Sequence, residues 1–471
     1  MEYRRRELDI SRSKCVSAIE ELIVNVLETR FEIFDSVTIE QAKTRIIDVI
    51  GCLIAGVKAP GNTALVELVR DWGGKEEATI LVHGVKTLAQ NVAMVNCIMA
   101  RSFDYEPNSA LIDGKIIPSH ISGTTIMTAM TIGEMVGVNG QELITAILVG
   151  EDMASRILAA ASSEKRLDSI GTVNVFGATA IAGRLIGLNK FQMMNAMGIC
   201  LDHITGSYQN VWDRTYSFKL SQGLSARSGI FSAQLAKQGW TATEDALLGK
   251  FAYYYLYFKD INNIDILSKD LGKIYYTEAH FKPYPSCRYN HGPIECILSL
   301  IRKHQIKAEN IKEVNVYVSR RGLQAAVGKS FNIGDSPYVD ALFSYQYAVA
   351  NTLLRKCIKL EHFSDELICD PNINSLVSKI NLAELPNAEL LEAKVDVIMN
   401  DGRILSEYTE APKGDQDKNP MSKDEILAKF WANVEFSNTL KKGNAEKLLL
   451  LLNKLEDVDR LDEIIQLLVV K

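Results

Sequence analysis

The run Phe176-Gly177-Ala178-Thr179-Ala180-Ile181-Ala182-Gly183-Arg184-Leu185-Ile186 is typical of a helix that packs closely against other helices. Many of its residues are small, and helix axes approach most closely where the side chains at the contact are small. The segment from Ser225 to Lys237 repeats this composition. These two segments predict that packed helices form the basis of the fold.

On both sides of this run, from Val37 to Leu271, the sequence keeps a helical pattern. The segment from Ile39 to Ala55 repeats apolar residues at spacings of three and four, which indicates an amphipathic helix. Glycine follows several of the predicted helix ends, where a left-handed cap favours it. Further helices are predicted at 90–100, 122–136 and 141–161, and the capping glycines are Gly137, Gly187 and Gly239.

After Pro283 the pattern changes to a mixture of strands and helices. Residues 313–319 and 393–399 alternate around valine, as strands do, and Asp401-Gly402 is a turn pair that predicts a hairpin. Residues 340–354 are predicted to form one helix, and helical sequence returns from Ser422 to the end. We therefore expect a mainly α protein. Its all-helical domain is predicted to comprise residues 1–276 and 412–471, with a smaller α+β unit of residues 277–411 inserted.

Composition limits the possible functions. The net charge of -6 argues against a general nucleic-acid binder, and no apolar run approaches the ~20 residues of a membrane helix. The 8 cysteines are scattered and include no CxxC pair, which favours a cytoplasmic protein with reduced thiols. Neither the histidine nor the cysteine spacing suits a metal site, and dinucleotide and P-loop patterns are absent. We expect no metal and no cofactor.

Several separated motifs occur in an order that resembles the MmgE/PrpD family over some 400 residues. The most distinctive motif is Lys282-Pro283-Tyr284-Pro285-Ser286-Cys287-Arg288-Tyr289-Asn290-His291. The others are 42–56, Phe103-Asp104-Tyr105-Glu106, Ser119-His120-Ile121-Ser122-Gly123, 149–151, 175–178, 341–350 and Pro412-Lys413-Gly414-Asp415.

This resemblance implies a large helical domain, a smaller α+β lid and a homodimer. The activities of the family include 2-methylcitrate dehydration, cis-aconitate decarboxylation and iminodisuccinate epimerisation, and each handles a proton on carbon next to a carboxylate. None of these reactions requires a metal or an organic cofactor. We therefore expect a small anionic carboxylate as substrate, and neither nucleic acid nor a membrane as partner.

The resemblance also assigns roles to residues. Asp104 matches an active-site aspartate of the family, although a carboxylate in a polar loop is otherwise most often solvated. His120 is the leading general acid/base, because an imidazole gives and takes protons near neutral pH; the alternative is a structural histidine. Lys219 is expected to bind a substrate carboxylate, with a surface lysine as the alternative.

The Lys282 motif holds the densest group of candidates. Gly292-Pro293 indicates that a helix begins here, and the positive end of a helix attracts anions. Arg288 suits a carboxylate through two hydrogen bonds, and Lys282 is a further substrate-binding candidate. His291 is expected to assist the leaving group or to make a structural hydrogen bond. Cys287 would have a lowered pKa near this helix start, but a small buried hydrophobe is the stronger interpretation.

Two positions depart from the decarboxylase-like members of the family. Asp168 and Cys287, both substrate-binding candidates by this resemblance, stand where those members have histidines. An acid at 168 would repel a substrate carboxylate, which argues against cis-aconitate decarboxylation and strict 2-methylcitrate dehydration. The leading interpretation is a metal-independent, dehydratase-like lyase acting on a hydroxy-polycarboxylate. The alternatives are an epimerase or decarboxylase of a small di- or tricarboxylate, and a binding protein that has lost catalysis. We expect Asp104, His120, Lys219, Arg288 and His291 to line one cleft.

Overall fold

Helices dominate the computed structural model, which describes residues 18–161, 169–204, 206–258 and 261–470. The α-helices of these residues are 18–28, Ser36–Gly56, Asn62–Trp72, Ala89–Arg101, Ser122–Val136, Gly140–Ala160, Ser169–Leu185, Lys190–Leu201, Gln209–Trp212, Leu220–Lys237, Tyr253–Tyr257, His291–Lys303, Arg320–Leu323, Pro337–Leu342, Tyr345–Arg355, Asp365–Ile368, Pro371–Val377, Lys423–Ser437, Lys442–Asn453 and Asp462–Leu467. Short 3₁₀ turns lie at Phe31–Ile33, Tyr216–Lys219, Ile264–Leu267, Arg288–Asn290, Ala308–Asn310, Ala326–Gly328, Leu360–Phe363 and Leu455–Asp457.

Helix ends follow local capping chemistry. The Asp35 carboxylate accepts a hydrogen bond from the Thr38 N–H at 2.8 Å, which satisfies a free donor at the start of the Ser36–Gly56 helix. Ser422 begins the Lys423–Ser437 helix with a reciprocal capping box. Gly137 ends the Ser122–Val136 helix with φ of 75°, as predicted.

Small residues bring the central helices together. A Cβ added to Gly229 would lie 2.6 Å from the Ala178 Cβ, and one added to Gly177 would lie 2.9 Å from the Gly150 carbonyl oxygen. The Ser169–Leu185 helix therefore packs tightly against Leu220–Lys237 on one side and Gly140–Ala160 on the other. The prediction drawn from the small-residue segments is confirmed.

Three small sheets accompany the helices in the described residues. Their strands are Ala78–Ile80, Val85–Thr87, Asn108–Ile112, Lys115–Ile117, Ala279–His280, Ile311–Val318, Ile380–Glu384, Ala393–Met399 and Ile404–Thr409, numbered β1 to β9. β1 and β2 form an antiparallel pair, β3 lies between β4 and β5, and the largest sheet has the order β7-β6-β8-β9. In that sheet β6 runs parallel to β7 and antiparallel to β8, and β8 pairs antiparallel with β9.

Two sequence predictions need correction. The larger part is mainly helical but not all-helical, since β1 to β4 lie within it and β5 pairs with β3. The single helix expected at 340–354 is two helices, Pro337–Leu342 and Tyr345–Arg355. Ser344 separates them because its side chain accepts from the Tyr347 N–H at 3.1 Å and so starts the second helix.

The buried apolar residues form two clusters. One consists of residues from 18–276 and 430–468, and the other is drawn mainly from 294–399. Phe103 and Tyr105 belong to the second cluster although they follow a helix of the first. The loop that carries Asp104 therefore lies where the two cores meet. The domain boundaries at 276/277 and 411/412 stay a prediction.

Among the described helices, none combines the length and the apolar character that crossing a lipid bilayer requires.

Candidate active site

The loop after the Ala89–Arg101 helix buries two carboxylates. Asp104 is 1% exposed and Glu106 is 0% exposed, so the interpretation of Asp104 as a solvated loop acid is wrong. Asp104 has φ of 47°, a left-handed conformation that costs a non-glycine residue about 1–3 kcal/mol. Its N–H donates to the Arg101 carbonyl at 2.9 Å, which turns the loop sharply from the helix end.

Two buried cations neutralise this pair of carboxylates. The Arg101 Nη1 donates to Asp104 Oδ1 and, at 3.0 Å, to Glu106 Oε1. The Lys282 Nζ donates to the Asp104 carbonyl at 2.5 Å and to its Oδ1 at 2.7 Å. Burial alone would raise both carboxyl pKa values. The cations outweigh burial and lower the pKa of Asp104 and of Glu106, so both groups stay ionised.

His120 is held by Glu106. Its Nδ1 lies 2.7 Å from Glu106 Oε1. Nδ1 also lies 3.2 Å from the Arg101 Nη1, but the two hydrogens of that Nη1 are already donated to Asp104 Oδ1 and Glu106 Oε1. Because a carboxylate only accepts, we assign the proton to Nδ1, which leaves a lone pair on Nε2. Burial and then the Arg101 guanidinium lower the pKa of His120 below 6.5, against the opposing Glu106 carboxylate. His120 is therefore neutral near pH 7, with 17% of its side chain exposed.

Further hydrogen bonds fix this pair. The Gln222 Nε2 donates to Glu106 Oε1 at 2.9 Å, and the Asn174 Nδ2 donates to the His120 carbonyl at 2.8 Å. Gln222 and Asn174 come from the Leu220–Lys237 and Ser169–Leu185 helices, which pack tightly together. The imidazole is thus positioned by regular elements, not by its own loop alone.

His291 has the opposite hydrogen-bonding arrangement. The Arg288 Nη1 lies 3.0 Å from His291 Nδ1. Because a guanidinium only donates, we assign a lone pair to Nδ1 and the proton to Nε2. Burial and the charges of Arg288 and Lys282 lower the pKa of His291, so it too is neutral. Among the described residues its buried Nε2 has no hydrogen-bond partner.

Arg288 also binds the backbone of the Pro412 segment. Its Nη1 donates to the Lys413 carbonyl at 2.6 Å and its Nη2 donates to the Pro412 carbonyl at 3.1 Å. Burial lowers the pKa of Arg288 to about 10, which leaves it charged at neutral pH. In this structure the guanidinium of Arg288 thus donates to two backbone carbonyls. The expected binding of a substrate carboxylate by Arg288 stays a prediction.

Lys219 is buried against neutral acceptors. Its Nζ donates to the Pro60 carbonyl at 2.7 Å and to Asn62 Oδ1 at 2.8 Å. Among the described residues no carboxylate offsets the effect of burial on it. Burial lowers its pKa to about 7. Asn62 donates in turn to the Ser102 hydroxyl at 2.8 Å, so Lys219 is connected to the end of the helix that carries Arg101.

Family models match both parts of the chain. The MmgE/PrpD N-terminal domain matches residues 20–263, and the MmgE/PrpD C-terminal domain matches residues 284–456. The chain belongs to the MmgE/PrpD family. The resemblance drawn from the sequence motifs is therefore confirmed.

Curated relatives of this MmgE/PrpD protein include cis-aconitate decarboxylases. The Homo sapiens enzyme is 24% identical over 442 residues, which cover 89% of this chain and 88% of the relative. The Mus musculus enzyme is 24% identical over 384 residues, covering 78% and 76%. The Aspergillus terreus enzyme is 24% identical over 461 residues, covering 91% of each chain.

Two positions of this MmgE/PrpD chain, Asp168 and Cys287, differ from the decarboxylase-like members of the family. Asp168 lies outside the described residues. Burial and the Asp104 charge raise the pKa of Cys287 to about 12, so the idea of a lowered thiol pKa at the helix start is wrong. Cys287 lies before the 3₁₀ turn at Arg288–Asn290 and not at the first turn of the α-helix, and burial dominates there. It stays a neutral thiol.

The carboxylates and the imidazole also form the type of cluster that binds metal ions. One ligand atom from each of Asp104, Glu106 and His120 lies within 4.8 Å of the other two. However, Arg101 and Lys282 already donate to the same carboxylate oxygens. A divalent cation would have to displace both fixed charges, so these residues fit a divalent ion poorly.

Sequence reasoning missed several members of this site in the MmgE/PrpD chain. Arg101 and Glu106 flank Asp104 at spacings of three and two residues, and this charged run was an available signal. Gln222 and Asn174 carried no such signal, because polar residues within helices are common and only the folded structure brings them to Glu106 and His120. The roles of the site residues stay predictions.

Proposed function

We propose that this protein is a metal-independent lyase acting on a small hydroxy-polycarboxylate, by removing a proton from carbon next to a carboxylate. Family membership and the lyase names of the curated relatives support this reaction class. The side chains of the candidate active site include the proton-transferring and charged groups that such a reaction needs.

The main support for this proposal is that His120 and His291 are assigned opposite tautomers. Glu106 leaves a lone pair on Nε2 of His120, which suits a general base. Arg288 leaves an N–H on Nε2 of His291, which suits a general acid. A dehydration needs one of each: His120 takes the proton from carbon, the carbon–oxygen bond breaks, and His291 protonates the departing hydroxyl to form water.

Lys219 is the proposed carboxylate anchor. Its ammonium makes hydrogen bonds to a carbonyl and an amide oxygen, and an arriving carboxylate would replace a neutral acceptor with a charged one. Lys282 and Arg101, by contrast, already neutralise Asp104 and Glu106. We propose that they hold the acidic loop, residues 103–106, in place. We also propose that they stabilise the negative charge that develops on the substrate.

Epimerisation is the second candidate, and the same pair of tautomers favours it. One imidazole that accepts a proton and another that donates one would invert an acidic carbon if they stood on opposite faces of the substrate. No carbon–oxygen or carbon–carbon bond would break in that reaction.

The test is a panel of di- and tricarboxylates, including cis-aconitate, incubated with the enzyme in heavy water. A dehydratase yields an alkene product, a decarboxylase yields carbon dioxide, and an epimerase incorporates deuterium without losing a group. We expect an alkene from at least one hydroxy acid. His120→Asn should abolish this reaction, whereas His304→Asn, an exposed histidine, should not. A panel without product or exchange would show that the proposal is wrong.

A further inference from the structure

In the sequence Tyr105 lies between the two residues with buried carboxylates, Asp104 and Glu106. It is bound by a lysine from the C-terminal part of the chain. Its carbonyl accepts from the Nζ of Lys429 at 2.7 Å. The same Nζ lies 3.9 Å from the centroid of the Tyr105 ring, a distance at which a cation is attracted to an aromatic face. Lys429 belongs to the Lys423–Ser437 helix.

The Lys429 charge is matched by Asp48. The Nζ lies 2.8 Å from Asp48 Oδ1 and 3.0 Å from Asp48 Oδ2, and both side chains are buried. Asp48 lies on the Ser36–Gly56 helix, which packs against the Lys423–Ser437 helix. The ammonium is therefore held between one carboxylate and one loop carbonyl, and moving it away would leave a buried charge without its partner.

Tyr105 connects this ion pair to the Lys282 motif, residues 282–291. Its hydroxyl donates to the Pro283 carbonyl at 3.0 Å. The neighbouring Lys282 donates to the Asp104 carbonyl. Two consecutive carbonyls of the acidic loop, those of Asp104 and Tyr105, thus accept from buried lysines that come from distant parts of the chain.

We propose that Lys429, anchored by Asp48, is a positioning residue for the acid–base centre. By fixing Tyr105 it sets the backbone that presents Asp104 and Glu106, and Glu106 in turn holds the tautomer of His120. This inference rests on the proposed role of His120 as the base. Lys429 itself does not touch the substrate.

Lys43 provides a matched comparison. It lies on the same helix as Asp48 and is equally buried. Its Nζ donates to Glu456 Oε1 at 2.8 Å and to the Asn453 carbonyl at 2.9 Å. It therefore also joins this helix to the C-terminal part of the chain, but its partners do not belong to the acidic loop.

The experiment compares Lys429→Met with Lys43→Met in the full-length protein. Both variants should lose stability. Lys429→Met leaves the buried Asp48 carboxylate without its partner. Lys43→Met leaves the partly exposed Glu456 and the exposed Glu40, so its loss should be smaller. Only Lys429→Met should lower kcat, by about 10- to 100-fold, because small misplacements of catalytic groups have effects of that size. KM should change little, since Lys429 does not bind substrate.

A second measurement needs no substrate. The proton that His120 Nδ1 donates to Glu106 should give a downfield proton NMR signal, identified by its absence in His120→Asn. We expect Lys429→Met to lose this signal and Lys43→Met to keep it. If instead both variants keep the signal, the positioning role is wrong, whatever reaction the enzyme catalyses.

A milder variant tests the proposal if Lys429→Met fails to fold. The double substitution Asp48→Asn with Lys429→Gln replaces the ion pair with two amides of similar size, so no unpaired charge is buried. We expect this variant to fold and to show a kcat between those of the wild type and Lys429→Met. If it folds with wild-type kcat and the His120 signal intact, the Lys429 charge does not position the centre.

Discussion

At the scale of single residues, the partner of each histidine determines its chemistry. His120 and His291 are both neutral and largely buried, yet one is bonded to an acceptor and the other to a donor. The ring nitrogen opposite that partner is left as a base in His120 and as an acid in His291. The carboxylate of Glu106 and the guanidinium of Arg288 therefore support the roles proposed for these two histidines.

Glu106→Gln should shift the acid limb of the pH–rate profile. The Glu106 carboxylate raises the pKa of His120, whereas burial and Arg101 lower it below 6.5. Removing that charge lowers the His120 pKa further, so activity should persist to lower pH while the maximal kcat falls by about 10²-fold or more. The measurement is kcat/KM against pH. An acid limb that stayed in place or moved upward would contradict this assignment.

Lys219 should make substrate affinity depend on alkaline pH. Its pKa is about 7 because it is buried, so its positive charge is lost as pH rises through that value. KM should therefore increase above about pH 7. Lys219→Arg keeps its charge at every working pH, and KM should then vary less with pH. An equal alkaline rise of KM in both proteins would exclude Lys219 as the anchor.

The sequence identified part of this site. Asp104, His120, Lys282 and His291 were recognised through family motifs, and their burial was not foreseen. Glu106 was quoted only as part of the Phe103-Asp104-Tyr105-Glu106 motif and was given no role of its own. Lys429 was missed because it lies 324 residues from Tyr105, and no local pattern predicts a contact over that separation.

At the scale of elements, the segment that follows β9 is packed against the Lys282 loop. Gly414 has φ of 89°, and a Cβ there would lie 1.9 Å from the Phe281 carbonyl oxygen. The adjacent Lys413 carbonyl accepts from Arg288. This segment therefore supports the guanidinium that sets the tautomer of His291.

Gly414→Ala should be markedly destabilising. The substitution adds both the cost of a left-handed alanine and a clash with backbone that cannot move aside. Gly402→Ala is the matched control, since Gly402 has φ of 87° and open space around its Cα. We expect about 1–2 kcal/mol of lost stability at Gly402 and at least about 1–3 kcal/mol more at Gly414, measured by denaturant unfolding. Equal losses would mean that the Phe281 contact is easily relaxed.

Elements with strong periodicity were predicted well. The helix at 122–136 and the strand at 393–399 agree with the structure residue for residue. The break at Ser344 was missed because Asp340 to Leu354 keeps a helical pattern on both sides of it. The strands β1 to β4 were also missed. They are three to five residues long and take their stability from packing, so their sequences alternate too briefly to be recognised.

At the scale of the whole molecule, buried neutral histidines link stability to pH. Burial, and after it a nearby arginine in each case, lowers the pKa of His280 and of His362 to about 4. In the unfolded chain these groups protonate near 6.5. Their contribution to stability is thus complete above pH 6.5 and is lost as pH falls from 6.5 towards 4.

The free energy of unfolding should accordingly decrease between about pH 7 and about pH 4.5. His362→Asn removes one of these groups and keeps an acceptor near the position of Nδ1, which accepts from the Lys359 N–H. We expect a smaller decrease for His362→Asn and an unchanged decrease for His304→Asn. Denaturant unfolding at the two pH values measures both. A decrease as large in His362→Asn as in the wild type would contradict the prediction.

The ion pair between Asp48 and Lys429 also bears on how the protein is made. The two residues are 381 positions apart, and a ribosome delivers the N-terminal segments first. Asp48 and the acidic loop leave the ribosome long before Lys429 is translated. The nascent N-terminal helices therefore cannot bury Asp48 beside its counter-charge, and the acid–base centre is completed only when the last helices of the chain arrive. If Lys429 positions the centre as proposed, a product that terminates before Lys423 would lack a working centre even if every residue of the centre itself were present.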